Sequence, residues 1–163
     1  MSRVLTSDGR WIDDGRIFLR EESSAADGGA VLPLSLWKLG GRAGDAVWLA
    51  PADEPSELVG DLERLRLIGI DFPKFTDGRG FSIASLLRRR YGYTADLRAI
   101  GDVLVDQLHY LRRVGFSSFA LKAAQDEVVA VRALNTFSEH YQGSADNAVP
   151  AFRRADRPFA EIR

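Results

Sequence analysis

No cysteine occurs among the 163 residues, and histidine is confined to His109 and His140. The first absence removes disulfides, thiol nucleophiles, thiol redox steps and cysteine-ligated zinc or iron–sulfur centres. The second leaves too few imidazoles for an ordinary zinc site, so no metal is expected. No run approaches the roughly 18 consecutive apolar residues that a membrane-spanning helix needs. Met1 to Arg20 lacks a basic stretch followed by an apolar one, so no secretory leader is expected and the cytoplasm is the expected compartment. Charge of one sign is missing too: 22 Lys and Arg stand against 23 Asp and Glu, which gives no bulk attraction to nucleic acid. Glycine-rich dinucleotide, Walker and nucleophile-elbow motifs do not occur, so no cofactor is expected.

What is present reads as one globular unit, 45% hydrophobic and 28% charged. Acidic residues exceed basic ones over 1–80 and the reverse holds over 81–163, a modest asymmetry typical of surfaces. Near the start, Trp11-Ile12 and Arg16-Ile17-Phe18-Leu19 flank Asp13-Asp14-Gly15, and the Asp-Gly pair predicts a hairpin between them. Glu21 to Gly29 is small and polar, the composition of a linker. Val31 to Trp37 is apolar, but Pro33 argues against a central strand. Residues 1–44 are therefore expected to form a β-rich appendage that covers an edge of the main body.

From Asp45 a rhythm begins that defines a core over 45–143. Apolar runs near 46–50, 67–72, 97–101 and 117–122 have strand length. Helical spacing fills the intervals over Pro55–Leu65, Ser82–Tyr91, Asp106–Val114 (closed by Gly115) and Glu127–Tyr141. This pattern predicts an α/β fold with a mostly parallel sheet of repeated strand–helix units. Two architectures fit: a half-barrel-like (βα)4 winding or a small doubly wound sheet. Either leaves two sheet edges, for which a homodimer or cover by residues 1–44 is expected. Residues 144–163 read as a C-terminal tail.

The segment Phe75-Thr76-Asp77-Gly78-Arg79-Gly80-Phe81-Ser82 follows a strand and opens a helix, the end of a parallel sheet where ligands bind. Gly78 and Gly80 allow a tight turn, Ser82 can cap the helix, and Arg79 offers a planar fork for an oxyanion. Lys74 and Arg98 are the expected helpers. The plainer alternative is a turn in which Arg79 pairs with Asp77. Asp102, at the exit of the third strand, joins Asp77 as a candidate acid or base, against a reading in which it pairs with Arg98. Arg88-Arg89-Arg90 reads as a solvated face.

The stretch from Ile70 to Ser82, then Leu86-Leu87-Arg88, Leu97 to Leu104, Asp106-Gln107 and Gly115-Phe116 resembles a bacterial family catalogued as domain of unknown function 934. That family carries the description of a probable oxidoreductase involved in sulfite reduction. The resemblance implies a place in assimilatory sulfur metabolism, with a sulfite or nitrite reductase haemoprotein as the partner. Relatives often carry a cysteine where Val114 stands here, so a thiol mechanism cannot be general.

The leading expectation is an accessory protein of sulfite reduction that binds an oxyanion or docks on the reductase. Two alternatives stand beside it. One is a small α/β enzyme acting on an anionic sulfur or phosphate metabolite, with Asp77 or Asp102 as acid or base. The other is a structural subunit without a catalytic role.

Overall fold

The computed structural model describes residues 2–20 and 30–153. The expected linker at 21–29 and the tail beyond 153 lie outside the described residues. Eight strands form one sheet: β1 (Ser2–Thr6), β2 (Trp11–Asp14), β3 (Ile17–Phe18), β4 (Ala30–Pro33), β5 (Ala46–Leu49), β6 (Leu67–Phe72), β7 (Asp96–Gly101) and β8 (Ser118–Phe119). Their order is β2-β1-β8-β7-β6-β5-β4-β3. The six from β8 to β3 run parallel, while β1 is antiparallel to both β2 and β8.

Helical segments lie between successive parallel strands from β4 to β8, and one more follows β8. They are α1 (Leu34–Leu39), a 3-10 helix at Pro55–Asp61, α2 (Arg79–Ser85), α3 (Leu108–Val114) and α4 (Glu127–Ala133). Because β4 to β8 lie side by side in chain order and such crossovers are right-handed, the helices fall on one face and the sheet curls. This selects the half-barrel over the doubly wound sheet. The curl is tight. The Phe18 ring on β3 lies 6.0 Å from the Arg98 guanidinium on β7, four positions away in the strand order.

The N-terminal residues are woven into this sheet rather than laid on it: β1 pairs with β8, and β4 with β5. The hairpin forms one Asp-Gly earlier than expected, between β1 and β2, where Gly9 takes φ +85°. Thr6 and Arg10 hold the Asp8 carboxyl in that turn down at about 2. Asp13-Asp14-Gly15 instead leads from β2, at one end of the sheet, to β3 at the other, with only Gly15 and Arg16 between them. Pro33 is tolerated because β3 pairs only with Ala30 and Val31, leaving no donor required of Pro33 on that side.

Three helices depart from their expected bounds, the first of them being a 3-10 helix that ends at Asp61 rather than Leu65. The second begins at Arg79, with Gly78 rather than Ser82 at its cap, and widens into a π-helical turn at Leu86–Arg90. There Arg88 is no solvated residue: its guanidinium donates to the carbonyls of Gly115, Tyr93 and Ala95 at 2.6–2.8 Å. The last helix stops at Ala133 because His109 and Arg112 of α3 bind the Leu134 carbonyl and turn the chain back. The strand expected at 117–122 is regular only over Ser118–Phe119.

Strand alternation gives the sheet two unlike faces. Val47, Leu49, Ile68, Ile70, Leu97 and Phe119 face the helices and join Trp37, Leu58, Leu87 and Leu111 in the main core. The inner face carries a smaller cluster of Val31, Trp48, Leu67 and Ile100, with Phe18 against it. A Cβ at Gly69 would sit 2.7 Å from Phe18 Cε1, so only glycine lets that ring settle on β6. Among the described residues no helix is long and apolar enough to cross a membrane.

Candidate functional site

The only buried polar or charged residues of the described chain, Asp71, Arg98 and Ser118, lie on β6, β7 and β8 and share the inner face by alternation. Arg98 sits within the curl, paired with Asp14 of β2, with Asp96 at 2.9 Å, and with the Ser118 hydroxyl at 2.9 Å. Burial alone would raise the Asp14 pKa; hydrogen bonds from the Arg16 N–H and from Arg98 reverse this and hold it below the usual range. Each of the three guanidinium nitrogens of Arg98 donates to one of these groups, so this residue clasps the curl and lies apart from the Asp77 loop. Its expected partner Asp102 lies elsewhere.

Asp71 stands one residue before the end of β6 and is 5% exposed in its side chain. Both its oxygens accept from Arg20, at 2.6 and 3.0 Å, in a two-point fork. Gly101, beside it on β7, has φ +93°, and a Cβ there would lie 2.6 Å from Asp71 Oδ1 and 2.5 Å from the Phe72 carbonyl oxygen. Glycine at this exit therefore makes room for the carboxylate. The next residue, Asp102, pairs with Lys122 at 2.6 Å and accepts the Phe75 N–H at 3.2 Å. The Lys122 hydrogen bond, with help from Phe75, keeps its carboxyl below the usual range against a smaller effect of burial. Gln107 Nε2 donates to the Phe75 carbonyl at 2.9 Å, so the loop after β6 is tied at both sides of Phe75.

These groups surround a cleft of about 450 Å³ lined by Arg20, Phe72, Pro73, Gly101, Asp102 and Lys122. It opens at the carboxyl ends of β6 and β7, where ligands of parallel sheets bind. Arg20 and Lys122 are 56% and 58% exposed there, each fixed from behind by one carboxylate. The arrangement presents two oriented cations to an incoming anion.

The loop singled out from sequence lies next to this cleft but is closed on itself. Arg79 donates to both Asp77 oxygens, at 2.7 and 3.0 Å, which lowers the Asp77 pKa and raises that of Arg79. Gly80 serves packing: a Cβ would lie 2.6 Å from the Phe72 ring. Ser82 lies inside α2, and Lys74 is exposed beyond β6. Asp77 and Asp102 are both held ionised by cations, which makes them weak bases. The structure thus places Asp102 at the cleft, sets Arg98 apart from it, and brings Arg20, Asp71 and Lys122 to the same place. One signal for the addition lay in the sequence: Asp71 interrupts the otherwise apolar run Leu67-Ile68-Gly69-Ile70-Asp71-Phe72.

A family model described as bacterial protein of unknown function (DUF934) matches residues 46–152. The chain belongs to that family. No curated protein and no solved structure matches it. The DUF934 match contains β5 through α4, and with them Asp71, Gly101, Asp102 and Lys122. Arg20 reaches the cleft from outside the matched region. Among the described residues no group of three or more histidines or carboxylates is placed to hold a metal ion.

Proposed function

We propose that this DUF934 protein is an accessory of assimilatory sulfite reduction that binds a small oxyanion between Arg20 and Lys122. The single observation that carries the binding is the pair of half-exposed cations at one cleft, each steadied by a carboxylate. Asp71 and Asp102 fix the cation positions, so little side-chain freedom remains to be lost on binding. Arg20 has guanidinium hydrogens beyond the two given to Asp71, and Lys122 has ammonium hydrogens beyond the one aimed at Asp102. A sulfite or sulfate oxygen can accept from both. The link to sulfur metabolism comes from the family resemblance, which also supports a sulfite or nitrite reductase haemoprotein as the partner.

Calorimetric titration with sulfite, sulfate and phosphate tests the binding. Hydrogen bonds to charged groups contribute about 1.5–3 kcal/mol, so Arg20→Ala or Lys122→Ala is expected to weaken sulfite binding by roughly 10- to 100-fold. Arg79→Ala is expected to leave it unchanged. Equal binding by all four proteins would remove the cleft from consideration. Purification from the native host grown on sulfate, followed by an absorption spectrum of the eluate, tests the haemoprotein partner separately.

A further inference from the structure

The chain has two histidines, 31 residues apart, and they meet: Nε2 of His109 on α3 lies 2.7 Å from Nε2 of His140 in the segment after α4. On the other side of its ring, His109 Nδ1 is 3.3 Å from the Leu134 carbonyl. A carbonyl only accepts, so that nitrogen carries the proton and Nε2 of a neutral His109 is a bare lone pair. The short contact is then a hydrogen bond donated by His140. One proton fits between the rings. A second, on His109 Nε2, would set two donors against each other, each on a cationic ring.

The surroundings oppose extra positive charge. The pair borders a cleft of about 410 Å³, and among the described residues its charged groups are Arg112 and Arg113 of α3 with Glu139 and Asp146 of the segment after α4. The Arg113 side chain is 12% exposed, and Asp146 stands 3.7 Å from it, beyond hydrogen-bond distance. Burial first, and then the charges of Arg113 and His109, push the His140 pKa below its ordinary value; Asp146 and Glu139 pull more weakly the other way. The closed contact therefore belongs to the neutral pair.

Little apolar burial holds the segment down. Phe137 and Tyr141 are exposed, although Phe137 stands edge-on to His109 with ring centroids 5.2 Å apart. The other ties are single polar contacts: Arg112 to the Asn135 side chain at 2.7 Å, Arg113 to the Gln142 carbonyl, and the Ser144 hydroxyl to the Arg113 carbonyl at 2.8 Å. None of these groups titrates near neutral pH. A stretch with few buried apolar contacts opens at low cost, so one hydrogen bond weighs heavily in it.

We propose that the His109–His140 contact is a proton-operated latch. With one ring neutral it holds residues 135–142 against α3, and protonation of both rings lets that segment swing away and opens the cleft. A freed imidazole has a pKa near 6.5, so the latch is fully engaged above about pH 6.5 and weakens as pH falls below it. Each ring that gains its proton only on release favours the open form by roughly 30-fold at pH 5. The latch lies apart from the oxyanion cleft and does not rest on that reading.

Nuclear magnetic resonance of the full chain between about pH 7.5 and pH 5 tests this, a window in which Glu139 and Asp146 stay ionised. At the upper end, imidazole nitrogen shifts are expected to show a proton on Nδ1 of His109 and on Nε2 of His140. On acidification both rings become cationic, and the backbone order parameters of 135–142 fall below about 0.6 over the same interval. His140→Gln can offer His109 either an amide hydrogen or a carbonyl oxygen and carries no charge, so it is expected to keep the segment ordered throughout. His140→Phe loses the bond and is expected to leave the segment loose at every pH. Unchanged order parameters in the wild type while both rings become cationic would overturn the proposal. So would rings that still share one proton at about pH 5, or acid loosening of His140→Gln equal to that of the wild type. The wild-type titration decides the matter alone should a variant fail to fold.

Discussion

On the outer face of the sheet, Ile68, Ile70, Leu97 and Ala99 meet helices that adjoin their strands in the chain. On the inner face, Asp71 and Arg98 meet Arg20 and Asp14, 51 and 84 residues away. The outer contacts are apolar and non-directional, so any helix of the right length and stripe can satisfy them. The inner ones are charged and directional, and a partner displaced by an ångström leaves a buried charge uncompensated. The outer face therefore gives the fold its cohesion, while the inner face sets how far the sheet curls and which residues reach the mouth.

The largest effect that can break this comparison comes from single truncations on each face followed by a second. Phe119→Ala on the outer face is expected to cost about 3–5 kcal/mol in urea unfolding. Arg98→Met on the inner face is expected to cost a similar 3–5 kcal/mol, because Asp14 and Asp96 lose their cation. The faces part at the second substitution. Adding Ile70→Ala to Phe119→Ala should deepen the loss, whereas adding Asp14→Leu to Arg98→Met should recover much of it. A double inner variant as unstable as the summed singles would show that the charges are not a pair that acts as one.

Gly69→Ala comes next. Its methyl group would meet Phe18 on the inner face at 2.7 Å and Trp48 Cβ at 2.9 Å, an overpacking worth about 1–3 kcal/mol. The near-ultraviolet signal of Trp48 should change with it, since that indole also donates to the Leu19 carbonyl at 2.8 Å. An unchanged spectrum and melt would mean that β3 does not press on β6.

The smallest effect is in acid. Asp14 has a folded-state pKa below its unfolded value, so its contribution is complete above about pH 3.9 and is lost as pH falls through the folded value. Asp14→Asn should therefore flatten the acid limb of the stability curve below pH 4 and leave an outer-face variant's limb as steep as wild type. Parallel limbs in all three proteins would assign the acid sensitivity to other carboxylates.

The outer face was legible because its signal is local. Leu67 to Phe72 forms a strand with the expected bounds, and Gly115 closes α3 at φ +113° as its position after Val114 predicts. The inner face was hidden because its partners are set by tertiary closure. Asp8-Gly9 and Asp14-Gly15 carry the same turn chemistry, and only the pairing of β1 with β8 decides which one closes a hairpin. Arg20 and Lys122 border runs with no periodicity of their own, so nothing near them in the chain marks them as neighbours of Asp71 and Asp102. Asp102 and its loop were legible from position alone, at a strand exit. The end of α4 was not, since the groups that stop it, His109 and Arg112, belong to α3.

The two-residue passage from β2 to β3 also bears on how the chain assembles. β1 and β2 are synthesised before the other strands of this sheet, yet the neighbour that completes them is β8, where Leu5 registers with Phe119. During synthesis the hairpin must wait through more than a hundred residues as an open edge, while β4 to β7 accumulate beside one another. Closure of the seam is then a long loop-closing event, slow by nature. The interval before it is when this chain is most open to pairing with the wrong strand or with another nascent copy.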